Sequence, residues 1–360
     1  MRARRRRWIA LGLALFVSLL ALGRLGLELL ASRAWGEPSL RVSFELPAGI
    51  DADELARLLA EEDLVQSELF ARIYLRTSGT SGLVPGRHLL VGGESPRQIE
   101  ARLRRAEGRP KVKLTIPEGF HRYAVAERLE RLGITGGAAF LAASADPMRL
   151  EALEIPQRAV GGAESAEGYL FPATYELPVD TPAEEVLARL VGEARTRWQR
   201  LATKHAAGLA ELERTLGWGR REIVLLASIV EKEAVVDEER PIIASVFLNR
   251  LRDPSFVPKR LQSDPTSAYG CYAMPERIPA CKGFTGKITP ALNQDPANRY
   301  STYVVEGLPD GPIASPGERS IEAVLAPATT SFLYFVAKGG GRHHFSATLE
   351  EHNRAIRGGR

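Results

Sequence analysis

The N-terminal 31 residues constrain the topology of this chain more than any other segment does. Residues 1–7 contain five arginines, and residues 8–23 carry no charged side chain. With Leu25–Ala31, which is apolar apart from Glu28, this segment reaches the roughly 20 residues that a membrane-spanning helix needs. Arginine-rich flanks stay on the cytoplasmic side. We therefore predict a cytoplasmic tail (residues 1–7), a single transmembrane anchor (residues 8–31) and an exported remainder; a cleaved signal peptide is the alternative.

The charge distribution fits this division. The chain carries a net charge of +4, and because five positive charges lie in residues 1–7, residues 8–360 carry −1. A protein that binds nucleic acid needs a basic surface to neutralise phosphates. The nearly neutral exported part therefore argues against nucleic acid as a partner.

The exported part has too many residues for one small core, so its pattern predicts an α+β fold with more than one domain. Residues 40–110 read as strand, helix, helix, strand and helix. Val42–Leu46 and His88–Val91 have the residue pattern of strands, Asp51–Glu61 has a helical apolar stripe, and Ser95 is suited to cap the last helix. This order predicts a small α+β module.

A weak internal repeat connects this module to the next segment. Leu46–Gly49 (LPAG) and Ile116–Gly119 (IPEG) each precede a helix, and each unit later reaches a strand-like run, Arg87–Val91 in the first and Gly168–Leu177 in the second. Residues 111–182 are therefore predicted to be a second α+β segment that leads into a larger mixed α/β domain over residues 183–355. The apolar spacing of Ala183–Leu216 predicts one long amphipathic helix at its start.

Glu231 is the best candidate for acid–base chemistry. It lies near the end of a helix predicted over Arg221–Val235 and borders the apolar face of that helix. A carboxyl group pressed against apolar walls has a raised pKa, because its charged form is poorly solvated, and this suits a general acid near neutral pH. The alternative is a solvated glutamate in the charged run Glu231–Glu233. A polar segment, Gln262–Thr266, follows and is predicted to be a turn.

Other kinds of active site have weaker support. Ser228 and Lys232, four residues apart on one helix, suggest a serine–lysine nucleophile pair, but the accompanying motifs are absent. His343, His344 and His352, around a predicted β-hairpin, do not have the spacing of a catalytic zinc site. We therefore predict no metal and no cofactor.

The two cysteines, Cys271 and Cys281, lie close together in the exported part. An exported location permits a disulfide between them, which would stabilise the fold by about 2–3 kcal/mol. Two free thiols are the alternative.

Ordered motifs over roughly residues 40–355 make the chain resemble the endolytic murein transglycosylases of the MltG (YceG-like) family. These motifs are Glu167–Pro172 (EGYLFP), Leu226–Glu233 (LASIVEKE), Val246–Leu251 (VFLNRL), Leu261–Thr266 (LQSDPT) with Tyr269-Gly270, Gly307–Pro309 (GLP), Ser315–Gly317 (SPG) and Leu333–Val336 (LYFV). The chain departs from the usual pattern at Ser301-Thr302-Tyr303, where the family usually has Asn-Thr-Tyr.

The resemblance implies a fold and an activity. The module at residues 40–110 is expected to be LysM-like, and residues 183–355 are expected to form a transglycosylase domain. The expected reaction cleaves the β-1,4 bond between N-acetylmuramic acid and N-acetylglucosamine inside nascent peptidoglycan strands and leaves a 1,6-anhydro-muramyl end. The catalytic glutamate of the family corresponds to Glu231. Motif membership and polarity give five candidate residues for binding sugar or orienting Glu231: Asn249, Gln262, Asp264, Thr266 and Tyr269.

Partners and location follow from the same resemblance and from the N-terminal segment. The expected partners are peptidoglycan glycan strands, the membrane that holds the single-pass anchor, and penicillin-binding synthases. The expected location is the cytoplasmic (inner) membrane, with the N-terminus in the cytoplasm and the catalytic domain outside.

Two other functions stay open at this point. A scaffold that binds peptidoglycan without cleaving it would have no use for a carboxyl group with a raised pKa. An ordinary glycoside hydrolase would need a second carboxylate, for which Asp264 is the candidate, and would release reducing ends.

Overall fold

The computed structural model describes residues 17–19, 21–34, 37–38, 40–105, 110–156 and 165–358. It is a mixed α+β structure with many helices and small two-stranded sheets, as the sequence predicts. The chain divides into two compact units, residues 1–112 with 177–181, and residues 113–176 with 182–360.

The predicted anchor, residues 8–31, lies partly outside the described residues. Residues 21–31 are helical. Across the ranges that the structure describes, no helix combines the length and the apolar character needed to cross a membrane.

The first unit has the predicted order of strand, helix, helix, strand and helix. Its elements are β1 (Arg41–Leu46), α1 (Ala52–Glu61), α2 (Glu68–Ser78), β2 (Gly86–Val91) and α3 (Pro96–Leu103). The strands pair antiparallel, with Phe44 opposite His88, and Leu55 and Leu90 are among the fully buried core residues. Ser95 caps α3 as predicted, since its hydroxyl accepts the backbone N–H of Gln98.

The rest of the chain forms two further two-stranded sheets and eleven α-helices within the described residues. In order these are β3 (Lys111–Thr115), α4 (Arg122–Arg131), α5 (Gly137–Ala143), α6 (Pro147–Ala152), β4 (Thr174–Pro178), α7 (Ala183–Lys204), α8 (Ala206–Leu216), α9 (Arg220–Glu233), α10 (Arg240–Arg252), α11 (Asp264–Ala273), α12 (Pro290–Asn293), α13 (Glu318–Leu325), β5 (Tyr334–Gly339), β6 (Arg342–Ser346) and α14 (Leu349–Gly358). β3 pairs with β4, and the predicted hairpin is confirmed as β5–β6.

Helix α9 is the centre of the second unit. Every residue from Ile223 to Val230 is buried, so the helix is enclosed on all sides rather than along one stripe. Its first turn is closed by Glu222, whose carboxylate accepts the backbone N–H of Gly219. Helices α10 and α13 pack against α9 and bring their own polar side chains to its C-terminal end. This packing positions the candidate site.

Two predicted elements differ from the structure. The stretch Ala183–Leu216 is two helices rather than one, with a break at His205. The segment Gln262–Thr266 is not simply a turn, because α11 begins at Asp264 with Pro265 in its first turn, where a missing backbone N–H carries no penalty.

Candidate active site

The carboxyl group of Glu231 lies in the last turn of α9, and its side chain is only 5% exposed. Both carboxylate oxygens accept hydrogen bonds. Oε2 accepts the backbone N–H of Gly317 at 2.9 Å and the hydroxyl of Ser320 at 2.8 Å, and Oε1 accepts Nη1 of Arg240 at 3.1 Å. Three donors from α10 and from the start of α13 therefore fix the position of this carboxylate.

This setting differs from the apolar walls that the sequence predicts around Glu231. The apolar face of α9 packs into the core, but the turn beyond it meets the N-terminus of α13 and the guanidinium of Arg240. A helix N-terminus carries unsatisfied N–H groups and a partial positive charge, and it attracts a carboxylate. The Glu231 carboxyl group is thus surrounded by hydrogen-bond donors and not by apolar side chains.

Arg240 is the most constrained cation of the site. Its side chain is 8% exposed, and besides Glu231 it contacts the Ser320 hydroxyl at 2.6 Å and Oδ1 of Asp237 at 3.0 Å. Asp237 also forms an ion pair with Arg319. A planar guanidinium with several partners holds its geometry better than an ammonium would, so Arg240 is well suited to orient Glu231.

A second carboxyl group, that of Glu118, lies beside the turn before α13 that binds Glu231. The turn that contains it is hydrogen-bonded to the turn before α13: Gly119 N–H donates to Ser315 O at 3.0 Å, and Ser315 N–H donates to Phe120 O at 2.8 Å. This pairing places the Glu118 carboxyl group against Gly317, whose N–H binds Glu231. Partial burial raises the pKa of Glu118, and the nearby charge of Glu231 raises it further.

Glu233, in the same charged run as Glu231, is also held inside the protein. It accepts the hydroxyl of Ser263 at 2.5 Å. Burial raises the pKa of Glu233, with the nearby charge of Asp264 acting in the same direction. Residues Lys232 and Glu233 therefore do not both point to solvent, since only Lys232 is exposed.

Two of the predicted sugar-binding residues are exposed. Asp264 accepts hydrogen bonds from Nδ2 of Asn293 at 2.8 Å and from the hydroxyl of Tyr303 at 2.7 Å. Gln262 has a positive φ of 51°, and its backbone N–H donates to Thr302 O. Its side chain is exposed. Both lie at the start of α11, on the side of α9 that carries Glu233.

The other three predicted residues have structural partners. The side-chain amide of Asn249 donates to the carbonyl groups of Thr330 and Phe332 at 2.9 and 3.0 Å. Thr266 is fully buried and donates its hydroxyl to Ser263 O. Tyr269 is only 3% exposed, so its ring has no free face on which a sugar could stack. These three side chains are thus held by contacts within the protein.

The hydroxyl of Tyr269 meets a third unusual carboxyl group. It donates to Glu167 Oε2 at 2.8 Å, and the same oxygen accepts the backbone N–H of Arg122 at 2.9 Å. Burial raises the pKa of Glu167 to about 7, although these hydrogen bonds favour the charged form. Nearby, burial lowers the pKa of His121 to about 4.

The serine–lysine pair and the histidines, which are the alternative active sites, do not have the contacts that their chemistry needs. Ser228 is fully buried, donates to Leu225 O and accepts the N–H of Ile313, while Lys232 Nζ donates to Gly119 O. These two side chains therefore have separate partners. His343 binds the buried carboxylate of Glu239 through Nδ1 at 2.7 Å. Among the residues that the structure describes, no group of three potential ligands could hold a metal ion.

The two cysteines are joined in a disulfide. Cys271 lies in α11, and Cys281 ends a short 3₁₀ turn. Together with Ile278 and Leu292 they form a small separate hydrophobic cluster. The disulfide thus anchors the segment between α11 and α12.

Four residues of the site have no role that the sequence predicted: Glu118, Arg240, Gly317 and Ser320. Gly317 and Ser320 lie 86 and 89 positions from Glu231 in the chain, so local periodicity cannot reveal these contacts. One signal was available. The two copies of the internal repeat differ at Ala48 and Glu118, and a turn that forms with alanine does not need a carboxyl group to fold.

Comparisons with known proteins place this geometry in context. The model of the YceG-like family matches residues 44–358. A relative from Bacillus subtilis (strain 168), named endolytic murein transglycosylase, is 28% identical over 323 residues, which cover 87% of this chain and 83% of the relative. A relative of the same name from Streptococcus pneumoniae is 28% identical over 339 residues, but the alignment covers 58% of that longer protein and 88% of this chain.

A solved structure extends the likeness to the fold. The crystal structure of a yceG-like protein from Listeria monocytogenes is 27% identical in sequence, with a TM-score of 0.55. The match covers 88% of this chain and 99% of that one.

Proposed function

Because the chain belongs to the YceG-like family, we propose that it is a lytic transglycosylase that cleaves the β-1,4 bond between N-acetylmuramic acid and N-acetylglucosamine within peptidoglycan strands. Relatives that align with most of this chain are named endolytic murein transglycosylase. The observation that carries the proposal is the Glu231 carboxyl group, which lies in the family-like LASIVEKE motif and is fixed by three donors.

The chemistry needs one proton to be donated and one to be removed. The leaving glycosidic oxygen takes a proton as its bond to C1 of the muramyl sugar breaks, and the C6 hydroxyl of the same sugar attacks C1 and loses its proton. An ordinary glycosidase uses two carboxyl groups and water. In the one-carboxyl form of the lytic reaction, Glu231 performs both transfers in turn and no water enters the product.

The donors around Glu231 support its part as the base. When both oxygens of a carboxylate accept hydrogen bonds, the carboxylate is held in one orientation. Its remaining lone pairs then point in fixed directions, which favours proton transfer with defined geometry. Arg240 links Glu231 to Asp237 and Ser320, so the orientation of the carboxylate depends on several contacts at once. We expect Arg240→Met to lower kcat more than it raises KM.

The N-terminal segment supports a proposed location. We propose that residues 8–31 anchor the protein in the cytoplasmic membrane, that residues 40–110 form a LysM-like module that binds glycan, and that penicillin-binding synthases are partners. The support is the arginine-rich flank before an apolar segment and the strand–helix–helix–strand order of the first unit. Membrane fractionation of the wild type beside Leu15→Arg tests the anchor, and recovery of both in the soluble fraction would overturn it.

The test of the proposed reaction is mass spectrometry of products from purified peptidoglycan. We expect 1,6-anhydro-muramyl ends from the wild type, and a loss of rate of roughly 10²–10⁴-fold for Glu231→Gln. Glu238→Gln is the matched control, because Glu238 is 73% exposed on the segment after α9. Circular dichroism confirms that each variant is folded.

The other outcomes separate the competing functions. Reducing ends in place of anhydro ends would mean an ordinary hydrolase and would direct attention to a second carboxylate such as Asp264. Binding without cleavage by the folded full-length protein would favour the scaffold. Cleavage by Glu231→Gln at the wild-type rate would refute the role of Glu231 while leaving the reaction intact.

A further inference from the structure

We propose that Glu118 is a second catalytic carboxyl group of this site, which donates the proton to the leaving glycosidic oxygen while Glu231 acts as the base. This inference rests on the proposed lytic reaction and divides its two proton transfers between two residues. The proposal comes from the geometry of two turns that meet beside Glu231.

The first observation is the pairing of the two turns. The turn after β3, which contains Glu118, and the turn before α13 exchange backbone hydrogen bonds through Gly119, Phe120 and Ser315. Gly119 also lies against α9, since a Cβ at that position would be 3.7 Å from Cγ of Glu231. The backbone of the Glu118 turn is therefore fixed relative to both α9 and α13.

The second observation concerns Gly317. Its N–H donates to Glu231 Oε2, and a Cβ added to it would overlap the carboxyl group of Glu118. Both carboxyl groups thus lie next to one residue. The φ of Gly317 is −73°, a conformation that any L-residue adopts, so the backbone does not require glycine here. The space beside Gly317 is instead occupied by the Glu118 side chain.

The third observation is the internal repeat. The LPAG turn of the first unit has Ala48 where the IPEG turn has Glu118, and both turns precede a helix. In each turn the glycine has a positive φ, 72° at Gly49 and 76° at Gly119. The shared turn thus forms without a carboxyl group. Glu118 is exposed, so a substrate can reach its carboxyl group from solvent.

The two carboxyl groups have different surroundings. The Glu231 carboxyl group accepts hydrogen bonds from Arg240, Gly317 and Ser320. Glu118 loses solvation and faces the charges of Glu231 and Glu318, which raise its pKa, while Arg240 and Arg319 act in the opposite direction and Lys232 lies beside the adjacent Gly119. Two neighbouring carboxyl groups in such different surroundings can divide the roles of acid and base.

The proton of Glu118 moves to the glycosidic oxygen as the electron pair of the C1–O bond moves to that oxygen, which frees the 4-hydroxyl of N-acetylglucosamine. The C6 hydroxyl oxygen forms a bond to C1 and gives its proton to the Glu231 carboxylate. After product release, a proton returns from Glu231 to Glu118 through solvent, and the site is reset.

The decisive experiment compares pH profiles of kcat/KM on purified peptidoglycan for four forms of the full-length protein: wild type, Glu118→Gln, Glu231→Gln and Glu127→Gln. For the wild type we expect a bell, with a rising limb from ionisation of Glu231 and a falling limb from deprotonation of Glu118. We expect Glu118→Gln to lose roughly 10²-fold or more in rate together with the falling limb. Glu127, 70% exposed on α4, is the matched control and should leave the profile unchanged.

A second variant moves Glu118 without removing it. In Gly317→Ala the new methyl group displaces the flexible end of the Glu118 side chain, while the N–H that binds Glu231 remains. We expect this variant to lose most of the rate that Glu118→Gln loses. The double variant with Glu118→Gln and Gly317→Ala should lose little more rate than Glu118→Gln alone, because both substitutions act through the Glu118 carboxyl group.

The outcomes separate this inference from the proposed function. If Glu118→Gln keeps the wild-type rate and falling limb while Glu231→Gln is inactive, the inference is wrong and the one-carboxyl reaction stands. If the wild type forms no anhydro ends, the proposed function fails. The interaction between the two carboxyl groups is then measured by ¹³C-carboxyl NMR titration. If the titration midpoint of Glu118 is the same in Glu231→Gln as in the wild type, the pairing of the two groups is also overturned.

Discussion

The buried carboxyl group of Glu167 makes the stability of this protein depend on pH in a direction that can be calculated. Glu167 is 2% exposed, and burial raises its pKa from an ordinary 4.5 to about 7. Between these two values the native state holds a proton that the unfolded chain has released. Stability therefore falls as the pH rises through this window.

The size of the effect follows from the pKa values. A pKa difference of about 2.5, at about 1.4 kcal/mol for each pKa unit, lowers the free energy of unfolding by about 3.5 kcal/mol in total. About 2.5 kcal/mol of this falls between pH 5 and pH 8. Glu167→Gln removes the titration but can keep the two short hydrogen bonds, because its amide oxygen can accept both the Tyr269 hydroxyl and the Arg122 N–H.

The assay is urea unfolding of wild type and Glu167→Gln at pH 5 and at pH 8. We expect the free energy of unfolding of the variant, relative to the wild type, to rise by about 2.5 kcal/mol between the two pH values. His121, whose lowered pKa of about 4 makes stability rise with pH, is present in both proteins and cancels in the difference. Glu176→Gln, at an exposed position of β4, is the control.

The reasoning would be refuted by a difference between wild type and Glu167→Gln that is the same at both pH values. Such a result would mean that Glu167 is ionised in the native protein at pH 5, and that its three donors outweigh the loss of solvation. An identical change in Glu176→Gln would show instead that the effect is a general one of net charge.

Three further changes test other parts of the structure by urea unfolding at constant pH. Gly208→Ala should lower the free energy of unfolding by about 1–3 kcal/mol, because its methyl group would overlap a backbone carbonyl of α13, whereas Gly192→Ala, with no atom within 4 Å, should raise it by up to about 1 kcal/mol. Equal changes in the free energy of unfolding for Gly208→Ala and Gly192→Ala would contradict the close approach of Gly208 to α13. Asn249→Ala should lower it by about 2 kcal/mol through two lost hydrogen bonds, and an unchanged value would show that water replaces them. The double variant with Cys271→Ser and Cys281→Ser should lower the free energy of unfolding by about 2–3 kcal/mol and abolish the effect of a reductant. An unchanged value would show that the unfolded chain is already compact in this segment without the disulfide.

Local structure in this chain could be predicted because it depends on neighbouring residues. The alternation in Val42–Leu46, the cap at Ser95 and the apolar spacing around Glu231 each involve residues a few positions apart, and the structure has a strand, a helix start and a helix end at those places. The break at His205 was missed because the apolar stripe continues through both helices, and only their separate packing shows that the helix ends.

The sequence by itself determined the family, the order of strands and helices, and the place of Glu231 at the end of a buried helix. Only the tertiary structure decided what surrounds that carboxyl group. Arg240, Gly317, Ser320 and Glu118 come from three separate parts of the chain, and their contacts exist because α10, α13 and the turn after β3 pack around the end of α9. A sequence pattern records which face of an element is apolar, but the polar partner of a side chain across an interface depends on how the elements are packed together.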